Sequence, residues 1–71
     1  MERGYVFKMG FALDTPEDEA TRQALDAAEE YCRESHCVSD GATAQVVRSP
    51  ELEEAGQFMV RIDGQMRSSE R

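Results

Sequence analysis

The side chains with the most versatile chemistry stand close together: Cys32, His36 and Cys37. Thiolate and imidazole are preferred zinc ligands, and Cys32 and His36, four apart, would share one side of a helix. A closed structural zinc site takes four ligands, and Asp40 could supply the missing one. The spacing lacks the paired C-x2-C element that makes zinc motifs specific. The three are therefore weak metal candidates, and no cofactor is expected. The plainer reading packs Cys32 in the core as a small hydrophobe, with His36 and Cys37 covering a helix end. A redox-responsive thiol pair is the remaining alternative.

Catalytic chemistry is harder to assemble. His36 is the only histidine, and no recognisable motif sets a nucleophile or an acid beside it as a general base requires. The adjacent acids Glu29–Glu30 and Glu53–Glu54 could imitate a glycosidase carboxylate pair, but neighbouring acids on a helix read more simply as a solvated face. The five glycines form no phosphate-cradling loop. Gly10, inside an alternating stretch, suggests a β-bulge. The expectation is a protein that is not an enzyme.

Length and charge narrow the classes further. Seventy-one residues make one domain with a thin core, and chains of this size often lean on a partner, a metal or a disulfide. Fifteen acidic against eight basic side chains give a net charge of −7. That charge repels nucleic acid and favours a basic protein partner. The residues from Met1 to Tyr5 do not read as a signal peptide. No stretch approaches the roughly 18 apolar residues of a membrane span. A cytoplasmic protein with reduced cysteines is expected, with no membrane contact and no direct nucleic acid contact.

Hydrophobic periodicity supplies the elements. Tyr5, Phe7, Met9, Phe11 and Leu13 alternate with Val6, Lys8, Gly10 and Ala12, which marks a strand with one heavy apolar face. At about 100° per residue, the segment from Pro16 to Ser35 gathers Ala20, Ala24, Leu25, Ala27, Ala28, Tyr31 and Cys32 on one side. Charged residues and Gln23 fill the other. Thr15 suits an N-cap and Pro16 the first helical position. Ser39–Asp40–Gly41 reads as a turn, and residues 42–48 as a second strand. Residues 49–56 form either a hairpin loop or one short helical turn. Phe58, Val60 and Ile62 alternate with Met59, Arg61 and Asp63 as a third strand. The fold class is α+β: one domain over residues 1–71, ordered β-α-β-β, with a three-stranded sheet and the helix across one face. The ordered core covers about residues 4–64, and 65–71 fray. Strands two and three form an antiparallel hairpin, and the first strand could join either.

Two surfaces are left to carry function. One is acidic: Glu19, Asp26, Glu29, Glu30 and Glu34 on the helix, then Glu51, Glu53 and Glu54. Residues 14–34 hold eight acids against Arg22 and Arg33. Such a row has the sign of a phosphate array and would suit the basic groove of a larger protein or complex. The other is the uncovered sheet face, with Val6, Lys8, Val47, Met59 and Arg61 as the candidate homodimer surface. It carries no aromatic to stack a base, which argues against single-strand binding.

The Tyr5–Val6–Phe7–Lys8 strand, the Ala-rich acidic helix ending near Cys37 and the strand over residues 57–63 together resemble short phage-encoded anti-CRISPR proteins. The likeness is one of layout, covers most of the chain and contains no diagnostic motif, so no residue role carries over. It implies an inhibitor acting in a host cytoplasm, bound to a CRISPR surveillance complex and blocking target DNA. The alternatives are a homodimeric structural or regulatory accessory module, and a small Cys/His metal- or redox-responsive protein.

Overall fold

The computed structural model describes residues 2–68. The elements run β1 (Glu2–Ala12), α1 (Glu17–Glu34), β2 (Cys37–Val47), α2 (Pro50–Glu54) and β3 (Gln57–Ser68). They form the α+β, β-α-β-β domain read from the periodicity. The sheet order is β1-β3-β2, with β3 antiparallel to both neighbours. β1 and β2 therefore run parallel, joined by α1, with the last strand inserted between them.

α1 carries three acids, Glu17, Asp18 and Glu19, in its first turn, where they complement the positive end of the helix dipole. Thr15 does not cap it. Pro16 holds the cap position with no side-chain hydrogen bond, and Thr15 instead donates its N–H to the Ala12 carbonyl at 3.0 Å, closing a turn out of β1. The helix ends at Glu34, and His36 has a left-handed φ of 58° that reverses the chain into β2. α2 realises the short helical turn: Ser49 accepts from the Leu52 N–H at 3.2 Å, and Gly56 takes φ 77° after it.

The strands are longer than their apolar cores. β2 starts at Cys37, so Ser39–Asp40–Gly41 is not a turn; its register shift lies between Ser39 and Gly41, leaving Asp40 as the bulge. β1 pairs without interruption through Gly10 opposite Met59, so Gly10 marks no bulge. Residues 65–68 belong to β3: Gln65, Met66 and Arg67 pair with both neighbours and Ser68 with β2, which replaces the frayed tail expected there. Residues 69–71 lie outside the described residues. Main-chain pairing to two flanking strands orders this polar end, a contribution that side-chain hydropathy does not report.

The core lies between α1 and β3. Ala20, Ala24, Ala28 and Cys32 are buried along one line of the helix, over Phe58, Val60, Ile62 and Met66 of β3. Small residues at every fourth position let the helix come close to the sheet. α1 lies mainly over β2 and β3 and touches β1 least. Phe7 and Met9 are consequently half-buried. Tyr31, 43% exposed, is the ring that spans the gap, 6.4 Å from Tyr5 and 6.2 Å from Phe7 between centroids.

Tyr5 is paired with Gly64 across the strands. Its ring occupies the space where a Gly64 side chain would stand: a Cβ there would meet Tyr5 Cε1, Cζ and the hydroxyl at 2.6 Å. The Tyr5 hydroxyl is buried and, among the described residues, no partner meets it in hydrogen-bond geometry; burial first, with Cys32 nearby, pushes the phenol above its ordinary pKa of 10.0, and Ser39 pulls it partly back. Gly64→Ala is expected to lower stability by about 1–3 kcal/mol through overpacking, measured by chemical denaturation. Gly4→Ala, with nothing nearer than 3.7 Å to its Cβ, should be close to neutral. Tyr5→Phe should leave stability at pH 7 unchanged or raise it by up to about 1 kcal/mol, because the lost hydroxyl meets no partner in hydrogen-bond geometry. Below pH 10 the phenol is protonated in both folded and unfolded chains. As pH rises past 10 the unfolded chain ionises first, so the wild-type protein loses stability there and Tyr5→Phe is spared that loss. Thermal melts from pH 8 to pH 11 check the sign.

Candidate functional site

The outer side of α1 is strongly charged. Glu19, Asp26, Glu29, Glu30 and Glu34 are all exposed, because the buried line of small residues occupies the opposite side. At ~1.5 Å per residue the row runs about 22 Å from Glu19 to Glu34. Among the described residues, ion pairs engage Glu17 with Arg48 at 2.8 Å, Asp63 with Arg61 at 3.0 Å and Asp40 with Arg67 at 3.5 Å. None of the five α1 acids in the row takes part in them. Asp26 and Glu30, four apart, repel one another at a cost of a few tenths of a kcal/mol, ~0.2–0.5. The helix presents these carboxylates, with Arg22 and Arg33 exposed among them, on a rigid rod.

The second group of acids does not join this row. Glu51, Glu53 and Glu54 are exposed on α2, which packs on β3 and not on α1. Arg48 stands where the two acidic groups approach. Its Nε and Nη2 donate to Glu17 Oε2 at 3.2 and 2.8 Å, and its guanidinium lies 4.7 Å from the centroid of the Phe58 ring. One side chain thus ties the start of α1 to the end of β2 and the start of β3. The charge pattern alone did not single it out; the only sequence signal is an arginine immediately before the Ser49–Pro50 helix start.

The cysteine and histidine cluster is not brought together. Cys32 is fully buried in the core. Cys37 opens β2 with its thiol 3.4 Å from the Ser35 carbonyl. The left-handed turn at His36 lies beyond the end of α1, so Cys32 and His36 do not share a helical side. Among the described residues no three His, Cys, Asp or Glu side chains group as a metal site.

The candidate dimer residues do come together. Val6 and Lys8 on β1, Met59 and Arg61 on β3 and Val47 on β2 all lie on the sheet face away from α1, with Lys8 opposite Arg61 and Met59 beside Val47. At its far end this face has a shallow depression of about 650 Å³ whose lining includes Gly4, Val6, Gly41, Thr43, Asp63 and Gln65. No helix among the described residues is long and apolar enough to cross a membrane.

The fold and surface define a small α+β domain with one acidic and one mixed apolar–basic face. Compared with protein-family models, curated proteins and solved structures, the chain matches none.

Arg48→Ala is expected to cost about 1–2 kcal/mol, as the loss of stacking over Phe58 adds to that of a partly exposed ion pair. Glu17→Gln should cost less than about 1 kcal/mol. A double-mutant cycle by urea denaturation separates the two contributions.

Proposed function

We propose that this protein is a non-enzymatic protein-binding domain that lays its acidic helix into a basic, nucleic-acid-binding groove of a larger protein or complex. On this reading it acts as an inhibitor in the manner of the anti-CRISPR proteins its layout resembles. The observation that carries it is the row Glu19, Asp26, Glu29, Glu30 and Glu34, exposed and outside the ion pairs of the described residues. The acids of the row outnumber Arg22 and Arg33, exposed among them, so the helix keeps a net attraction for a cationic surface, and its rigidity avoids an ordering cost on binding. The α2 acids Glu51, Glu53 and Glu54 widen the negative field on the approach side and contribute to association rate more than to the bound contact.

The test is an affinity pull-down from host lysate with nuclease added, read by mass spectrometry. The wild-type protein should retain a nucleic-acid-binding complex after nuclease. Asp26→Lys with Glu30→Lys should lower its recovery at least tenfold. The melting temperature should barely move, because positions 26 and 30 stay a like-charge pair, and the new repulsion of position 26 from Arg22 is offset by the new attraction of position 30 to Glu34. Undiminished recovery with the double variant at physiological salt would remove the acidic row from the mechanism.

A further inference from the structure

We propose that the free edge of β1 is a self-association surface, where a second copy of this chain pairs antiparallel about a two-fold axis at Phe7. Because β3 is central, both β1 and β2 are edge strands, and they differ. β2 carries the bulge at Asp40, and irregularity of this kind hinders edge pairing. β1 is unbroken over eleven residues, contains no proline, and is the strand that α1 covers least.

The register of β1 on β3 fixes which backbone groups it offers. Leu13 donates its N–H to the Gly56 carbonyl at 3.2 Å, the next rung after Ala12 opposite Gln57. Antiparallel ladders alternate, so odd-numbered residues of β1 turn their N–H and C=O groups toward β3. Even-numbered residues turn theirs outward. A two-fold axis at Phe7 sets even residues against even ones: Glu2 with Ala12, Gly4 with Gly10, Val6 with Lys8. Every residue of β1 finds a partner, and no charge meets its like. Moving the axis to Lys8 would set two ammonium groups face to face.

The side chains favour the same occupant. On the helix side Phe7 would meet Phe7 of the second copy, flanked by Tyr5 beside Met9. This closes over the half-buried Phe7 and Met9 and the exposed flank of Tyr31. From Glu2 to Ala12 the strand carries one acid and two bases in a chain of net charge −7. It is therefore a flank on which two copies can approach without bringing their acidic rows together. That flank runs along the long axis of a body measuring 46 × 18 × 16 Å, of the order needed for the roughly 800 Å² per partner of a stable interface. The product is a continuous six-stranded sheet with both helices on one side.

Light scattering after size exclusion tests this on the full chain, at concentrations up to the order of 100 µM. The expected mass is near twice 8.0 kDa, and dimerisation should strengthen as salt screens the repulsion between the two acidic bodies. Gly10→Pro removes an outward-facing donor and spares the ladder to β3; it should raise the dimer dissociation constant at least tenfold. Met59→Lys, on the sheet face away from α1, should leave it unchanged. In a Cys37→Ser background, Phe7→Cys should form an intermolecular disulfide, because residues on the axis face each other at about 4.5 Å between Cα atoms. Met9→Cys, opposite Tyr5, should not. A monomer throughout the concentration range would overturn the proposal. So would a dimer sensitive to Met59→Lys but not to Gly10→Pro, or Met9→Cys cross-linking in preference to Phe7→Cys.

Discussion

The close seating of α1 on β3 is the contact from which the rest of this small domain follows. Ala20, Ala24, Ala28 and Cys32 offer little side-chain bulk, so the backbone of the helix approaches the sheet and the bulky residues come from β3. Phe58, Val60 and Ile62 are fully buried as a result. A helix with larger residues on this line would stand farther off and leave those three unsealed. With so few core residues, the burial of each one weighs heavily in a chain of this size.

That seating has a directional consequence. α1 is centred over β2 and β3, and β1 is held by its ladder to β3 and by the aromatic group of Tyr5, Phe7 and Tyr31. The strands, at 11 and 12 residues, are about twice the usual length. The molecule is elongated to match, with a radius of gyration of 13.4 Å against about 11 Å for a compact chain of this length. Strands this long on a thin core gain much of their order from hydrogen bonding. The polar end of β3 is part of the sheet for this reason.

The charge distribution divides the molecule into two unlike sides. The helical layer collects most of the acids, and the sheet face opposite places Lys8 beside Arg61 among Val6, Val47 and Met59. Arg48 braces the end where the two helices begin, with its charge directed to Glu17 and its plane to Phe58. An acidic row for a basic partner and an unpaired strand for a second copy are compatible uses of one body, since they occupy different flanks. Salt acts on them with opposite sign: it weakens the first by screening attraction and strengthens the second by screening repulsion.

The element order, the strand faces and the acidic side of the helix were legible in the sequence, because each depends on local periodicity. Residues i and i+2 share a strand face, and residues i and i+4 a helix side, whatever the remainder of the chain does. The Ser49–Pro50 start of α2 was legible as one of two readings for the same local reason. Strand lengths were not, since pairing across β3 extends order past the apolar residues into 65–68 and back to Cys37. The place of β3 between β1 and β2, the bulge at Asp40 and the separation of Cys32 from His36 depend on contacts far apart in sequence. So does the meeting of Tyr5 with Gly64, where one residue's ring fills the space that the other's missing side chain leaves. The acidic residues could be named from the sequence, but only the packed structure shows that Glu51, Glu53 and Glu54 stand on an element that does not touch α1. The open edge of β1 exists only once the last strand has taken the centre of the sheet.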